Sequence, residues 1–428
     1  MNSPDQVFAS LQRHGAPGTA LGAKIAGSGA VEEQAVGAVV RLSDGREMID
    51  FGSYGVSLLG HRHPAVIAAV SDQLARMPAS TRTLANPITA GLMADLAERL
   101  GEPLQRVWLG SDGADAVEVA LKLARRQTGR QRILAVRHAF HGKTLGALAL
   151  TFNPAFRVGL ESMLGDQVTH IDPADECAVA REVVDGQVAA LVIEPIQGEG
   201  GVRPLPAATL QRWAEDAHSA DAFVISDEVQ VGLHRCGPLS LALAADVRAD
   251  AVLLGKALGG GVMPLSALIA TDELFEPLVT DPTWHSATFG GHPLSCAAGR
   301  AAIRALEQLA PRAARVGAQL ERGLGRLQGA HAPIVRDVRG AGLLWGVELT
   351  GPAVAGSVLV ELAQRNVLVS PCLSAPNTVR LLPPMVTTNA QVDTVLAALD
   401  GALAAAAEFA DVDAGTALET ATVTPQFS

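Results

Sequence analysis

Lysine and tyrosine are scarce in this chain: of 33 basic side chains only four are lysines, and 428 residues hold a single Tyr. Aromatic residues amount to 4%, too sparse for a platform on which single-stranded nucleic acid could stack. A basic surface is missing too, because 33 Lys and Arg stand against 44 Asp and Glu, for a net charge of −11. Duplex nucleic acid and anionic membrane both require such a surface and are excluded as main partners. The four cysteines (Cys177, Cys236, Cys296, Cys372) lie far apart with no CxxC. That excludes a disulfide framework and a zinc ribbon, and it fits a reducing, cytoplasmic setting. The N-terminal stretch MNSPDQVFASLQRHGAPG lacks the apolar centre of a signal peptide. The longest uncharged apolar run, Ala257–Thr271, is broken by three glycines and a proline. It falls short of the roughly 18–20 residues of a membrane span, so a soluble protein is expected.

What is present is apolar: 48% of residues against 18% charged, enough for a large core. On the usual scale of roughly 100–200 residues per domain, the length predicts two or three domains. Short apolar runs at Ile133–Val136, Ala190–Ile193, Ala222–Ile225, Ala251–Leu254 and Ser266–Ala270 read as strands. Helical patterns at Ala114–Arg126, Thr209–Ala220 and Leu294–Leu309 are spaced between and after them. The alternation predicts an α/β layer with a mostly parallel sheet flanked by helices. Further on, Gly342–Leu349, Asn366–Ser370 and Thr378–Leu382 read as strands of a smaller α+β unit. Asn389–Ala407 reads as a helix capped by Asn389. The expected organisation is a segment 1–50 contributing to the small domain, a large domain 51–309, the small domain 310–410 and a loose tail 411–428.

Several strands end in residues that a core strand would not want: Ile193 runs into Glu194, Ile225 into Asp227, Leu254 into Lys256. In parallel sheets ligands bind at the carboxyl ends of the strands, where loops converge on one crevice. Asp112-Gly113-Ala114 opens an amphipathic helix, and a glycine there lets free N–H groups face an anion such as a phosphate. An ordinary capped helix with a Glu118–Lys122 surface pair is the alternative. In HAFHGKT, Phe140 could stack on a planar ring or be a core side chain. The HxxH spacing of His138 and His141 has no carboxylate or cysteine partner nearby and is not read as a metal site. His61-Arg62-His63 is assigned a structural role. Glu194 and Glu199 could serve as a general acid–base pair or as partners for arginines. Asp227 closes an apolar strand, where a buried carboxylate demands a cationic partner. Lys256, partly desolvated at a sheet edge, has the lowered pKa that suits Schiff-base chemistry. An aspartate facing a pyridinium nitrogen keeps it protonated and makes the ring an electron sink. A phosphate loop, a stacking aromatic, an aspartate and a lysine on successive strand ends are together the parts of a pyridoxal 5'-phosphate (PLP) site.

These strings resemble the class III, or ω-, aminotransferases of the fold type I PLP enzymes over nearly the whole chain. The motifs that carry the resemblance are FHGKTLGAL, IEPIQGEGG, SDEVQVGLHRCG, GKALGGGVMP, SATFGGHPLSCAAG and VRLLPP. The resemblance implies that Lys256 forms the Schiff base and that Asp227 pairs with the pyridine nitrogen. It places Val229 and Phe140 on the two ring faces, His141 on the cofactor side, and Gln230 near the ring hydroxyl. Gly113 and Ala114 would give N–H groups to the phosphate, and Thr288 would reach the phosphate of a neighbouring subunit, making a homodimer or dimer of dimers. Glu199 and Arg380 match a gate pair in which the arginine holds the α-carboxylate of 2-oxoglutarate, and Tyr54 and Lys143 fall on the substrate side. Asp112 departs from the family's usual Ser or Thr beside the phosphate. Lys143 stands where the acetylornithine, ornithine and 4-aminobutyrate branches carry arginine. The local strings look most like the putrescine branch, so the resemblance implies a ping-pong reaction that moves the amino group of a diamine or other ω-amine, including an ω-amino acid, to 2-oxoglutarate. Acetylornithine/ornithine, 4-aminobutyrate and diaminobutyrate aminotransferases are the alternatives, with an aminomutase or racemase further off.

Overall fold

A computed structural model describes residues 3–421 of the chain. At its centre is a seven-stranded sheet. The spatial order is Arg106–Gly110, Ser266–Ala270, Ala251–Leu254, Phe223–Asp227, Val188–Ile193, Arg132–Val136, Val168–Ile171. Ser266–Ala270 runs antiparallel to both neighbours, while the remaining strands share one direction. All five expected strands are present, and Phe223–Asp227 extends to include the aspartate itself. The two strands missed in the sequence, Arg106–Gly110 and Val168–Ile171, are the outermost ones. Edge strands are only half covered, so their sequences mix polar with apolar residues and give no continuous apolar run. The central strand Val188–Ile193 is by contrast buried at every position. Helix Gly113–Thr128 covers one face of the sheet, and Ala207–His218, with its buried Trp213, covers the other.

The helix expected at Leu294–Leu309 runs much further, over Pro293–Ala330 (38 residues), and crosses the domain border expected after residue 309. Pro311 does not stop it. The turns on either side bury Leu306, Ala313, Val316 and Leu320, and Arg312 Nη2 donates to the carbonyls of Val386 (2.6 Å) and Thr387 (3.0 Å). Those contacts outweigh the roughly 3 kcal/mol that a helix-interior proline costs.

A second sheet is antiparallel, in the order Val335–Ala341, Leu344–Leu349, Ala375–Leu381, Ser370–Cys372. A third joins Glu32–Val36, Val39–Leu42 and Glu47–Asp50 to Val367–Leu368. The run Asn366–Ser370, read as one strand, therefore serves two sheets and changes partner at Val369. The last helix, Asn389–Ala421, continues past Asp411, where a loose tail was expected; residues 422–428 of that tail lie outside the described residues. Its cap is Thr388 and not Asn389: Thr388 Oγ1 accepts from Gln391 N (3.2 Å), and Gln391 Oε1 accepts from Thr388 N (2.9 Å). The segment Asn389–Glu408 is long and apolar enough to cross a membrane. Its Val392, Val395, Leu399 and Leu403 are buried in the main core, against helices Pro352–Gln364 and Pro293–Ala330. All four cysteines are free.

Because Pro311 is exposed and mid-helix, Pro311→Ala should stabilise the protein. A gain of about 1–2 kcal/mol is expected once the stiffer unfolded chain of the proline form is allowed for. Denaturant melts read this directly, and an unchanged or lower midpoint would show that the proline is already accommodated without cost.

Candidate active site

The shared strand direction brings the loops after Gly110, Val136, Ile193, Asp227 and Leu254 to one edge of the sheet. A cavity of about 230 Å³ opens there. It is lined by Asp112, Gly113, Ala114, Phe140, His141, Gly142, Glu194, Glu199, Asp227, Val229, Gln230 and Lys256.

One wall is the start of helix Gly113–Thr128. Asp112 caps it, its carboxylate accepting from Asp115 N (3.1 Å), while Asp115 accepts from Ser111 N (2.9 Å) and Asp112 N (3.3 Å). The unexpected aspartate thus turns towards its own helix. The N–H groups of Gly113 and Ala114 border the cavity, at the positive end of the helix dipole. The Glu118–Lys122 surface pair does not form. Glu118 instead accepts from Thr144 Oγ1 (2.6 Å) and Gly146 N (2.7 Å), and Lys122 Nζ lies 3.2 Å from His285 Nδ1.

Asp227 is buried at the end of its strand, with Oδ2 2.7 Å from His141 Nδ1 and Oδ1 accepting from Val229 N (3.1 Å). Burial by itself would favour a neutral imidazole, yet the hydrogen bond and charge of Asp227 outweigh it and raise the His141 pKa. Val229 is wedged between two glycines: a Cβ on Gly113 would lie 2.7 Å from its Cγ1, and one on Gly255 3.1 Å. Glu194 accepts from Phe140 N (2.7 Å) and Gly198 N (3.3 Å), and burial pushes its carboxyl up to about 7. Burial likewise lowers the Lys256 amine, against the pull of Glu199 and Asp227. Lys256 itself adopts a left-handed φ of 43°, a strained geometry typical of functional positions.

Glu199 and Arg380 form a buried ion pair at 2.5 Å, so the two glutamates of IEPIQGEGG have separate jobs and are not an acid–base pair. Burial alone would raise the Glu199 carboxyl; the Arg380 charge outweighs it and holds it low. Gln230 bridges the pair, donating to Glu199 (3.3 Å) and accepting from Arg380 (3.1 Å). A Cβ at position 198 would fall 1.7 Å from Gln230 Oε1, so any larger residue there would have to displace the Gln230 side chain.

Four expected residues are not on the cavity wall: Arg380, which reaches it through Glu199 and Gln230, and Lys143, Tyr54 and Thr288. Lys143 is exposed, with Nζ 4.2 Å from the centre of the Phe156 ring; Phe156 in turn meets Phe140 edge-on at 6.3 Å. The sequence reading passed over Phe156, although its place in FNPAF, a few residues beyond HAFHGKT, was a usable signal. Tyr54 is 68% exposed, in a turn beside Lys256. Thr288 borders a separate groove with Arg82 and Phe289. No cluster suited to a metal ion occurs among the described residues, and His138 and His141 share no ligand set.

Residues 26–403 match the family model "Aminotransferase class-III". The chain belongs to the class III aminotransferases. It is 38% identical over 380 residues to a putrescine aminotransferase of Pectobacterium atrosepticum, covering 86% of this chain and 81% of that one. An ornithine aminotransferase of Toxoplasma gondii, described with PLP at its active site, superposes with a TM-score of 0.82. That match has 33% identity and covers 89% of this chain and 91% of that one. An ω-transaminase of Thermomicrobium roseum matches with a TM-score of 0.81 and 27% identity, over 93% and 94% of the two chains. This aminotransferase is accordingly a PLP enzyme of fold type I that passes nitrogen from an amine to an oxo acid.

The cavity fits that cofactor. It offers backbone N–H groups at a helix start for a dianion, a carboxylate at the strand end for a ring nitrogen, two apolar side chains that can bracket a ring, and one buried amine. His141 Nε2 is a buried polar atom without a partner among the described residues, which marks the cofactor-side wall as incompletely satisfied protein.

A pH test isolates Glu194. A carboxyl raised from 4.5 to about 7 on folding binds its proton more tightly in the native state, so its contribution is complete below 4.5 and lost as pH rises to about 7. Between those limits Glu194→Gln should lose on the order of 3 kcal/mol less stability than the native protein. Equal slopes in parallel melts of the two apo proteins would mean that Glu194 is not desolvated as its position implies.

Proposed function

We propose that this aminotransferase works by a ping-pong mechanism, taking nitrogen from a diamine or other ω-amine and passing it to 2-oxoglutarate. Bound PLP supplies an electrophilic carbonyl carbon and a conjugated ring that accepts the electron pair released at the donor carbon. Lys256 Nζ, its pKa lowered by burial, would be the amine that holds the cofactor and the base that takes the proton from the donor carbon. Asp227 keeps the ring nitrogen protonated, and the His141 ring behind it fixes the carboxylate and balances its charge. Gly113 and Ala114 would hold the phosphate, and Phe140 and Val229 would bracket the ring. Arg380 receives the oxo acid's carboxylate when Glu199 swings aside, and Gln230 follows the pair.

The donor assignment rests on Lys143. Its ammonium lies over the Phe156 ring and outside the cavity, so no bidentate fork awaits a second donor carboxylate. The putrescine aminotransferase relative supports the same reading. We also infer a cytoplasmic homodimer: Thr288 and the 65%-exposed Phe289 stand on a groove outside the cavity, and a second copy seated there would carry Thr288 to its partner's phosphate.

Borohydride reduction of the cofactor-loaded protein and peptide mapping should place the label on Lys256. A label on Lys24, Lys122 or Lys143 would remove the lysine from its role. For the donor, kcat/KM with putrescine should exceed that with ornithine, acetylornithine and 4-aminobutyrate by about tenfold or more, and Lys143→Arg should narrow the gap. Preference for acetylornithine or ornithine in the native protein would mean that Lys143 leaves Phe156 and serves as the carboxylate clamp.

A further inference from the structure

Four carboxylates line the cavity: Asp112, Glu194, Glu199 and Asp227. Three of them are matched by partners. Asp227 has His141 at 2.7 Å, Glu199 has Arg380 at 2.5 Å, and Glu194 accepts from two backbone N–H groups. Asp112 differs, because it is exposed and forms no ion pair among the described residues. Its Oδ1 accepts from Asp115 N (3.1 Å), while the Asp115 carboxylate turns back to Ser111 N (2.9 Å) and Asp112 N (3.3 Å). Two carboxylates therefore share the start of helix Gly113–Thr128 and occupy three of the N–H groups there. The N–H groups of Gly113 and Ala114, which border the cavity, take no acceptor among the described residues and are what remains for a dianion. They do so at a helix end worth roughly half a positive charge, on which both aspartates already draw. No lysine or arginine other than Lys256 lines the cavity, and Lys122 and His285 contact each other (3.2 Å) outside it.

We propose that Asp112 is an affinity-determining residue whose charge opposes the cofactor's phosphate, so that this aminotransferase releases its cofactor readily whenever Lys256 is not bonded to it. This rests on the phosphate lying at Gly113 and Ala114, and it is independent of which amine is the donor. The aldehyde form of the cofactor can bond to Lys256. The aminated form that remains after the donor half-reaction cannot, and non-covalent contacts alone retain it, the phosphate's among them. A negative side chain on the same wall weakens that hold, by an amount that salt screens because Asp112 is exposed. Asparagine matches aspartate in size and ranks with it as a helix cap, so Asp112→Asn removes the charge and keeps the helix start.

The test is equilibrium binding to the full-length apoprotein, followed by calorimetry with pyridoxamine 5'-phosphate and with pyridoxamine, which differ by the phosphate alone. Asp112→Asn should bind the phosphorylated ligand about tenfold or more tighter than the native protein does, with pyridoxamine within about twofold. Raising the salt from about 0.1 M to about 1 M should shrink that gap severalfold, which loss of a cap would not do. Asp112→Ser, a cap of equal rank, should show the same salt-dependent gain and serves if the asparagine variant does not fold. In the holoenzyme, an amine donor supplied without oxo acid and followed by desalting should strip cofactor from the native protein faster than from Asp112→Asn. No gain, an equal gain for both ligands, or a gain that salt leaves unchanged would overturn the proposal. Native protein that binds the two ligands equally would refute the phosphate placement, and the proposal with it. Transamination by a native protein whose Asp112→Asn variant gains nothing would refute this inference and leave the transaminase reading standing.

Discussion

Charge buried at the carboxyl edge of a parallel sheet has to be matched within a few ångströms, and this protein is organised around meeting that requirement. Asp227, His141, Glu194, Glu199, Arg380 and Arg235 are all almost fully buried, and Lys256 is lowered by the same desolvation. An isolated ion in such a place costs several kcal/mol, so each needs its partner at a fixed position. Asp227 has His141, Glu199 has Arg380, Glu194 has two backbone N–H groups, and Arg235 has three carbonyls. The strand directions make this possible, because they deliver the acidic and basic ends to one edge.

The partners come from distant parts of the chain. Arg380 lies in the antiparallel sheet with Pro383 just beyond it, Gly55 in the turn that follows the strand Glu47–Asp50, Asp227 at the end of a central-sheet strand and Lys256 just after another. The site is complete only when the three sheets are docked. Glycines mark the tightest of these approaches: Gly113 and Gly255 against Val229, and Gly198 against Gln230. A methyl group at any of them would press on a residue of the cavity wall.

In the proposed reaction the ion pair of Glu199 with Arg380 gives the site two states from one arrangement. Paired, the arginine is neutralised and an uncharged chain can lie beside it; released, it offers a fork to a carboxylate. Lys143, parked over Phe156, takes no part in this alternation.

The sequence alone determined the sheet, its direction, the strand ends that carry Glu194, Asp227 and Lys256, and the family, because burial on both faces writes continuous apolar runs and a polar residue closing such a run stands out. It left the outer strands Arg106–Gly110 and Val168–Ile171 illegible, since half-covered strands carry no such run. It also placed a helix end at Leu309, because periodicity cannot show that packing on both sides of Pro311 outweighs a lost hydrogen bond. Only the tertiary structure decided the pairings: that Asp112 caps its own helix, that Glu118 bonds Thr144 and Gly146 in place of pairing with Lys122, that Lys143 lies over Phe156, and that Asp50 and Arg235 hold the turn at Ser53–Gly55 from its two ends. Each joins residues that are interchangeable in sequence terms, where an exposed and a buried charge look the same. Position in space and the absence of water give each its partner.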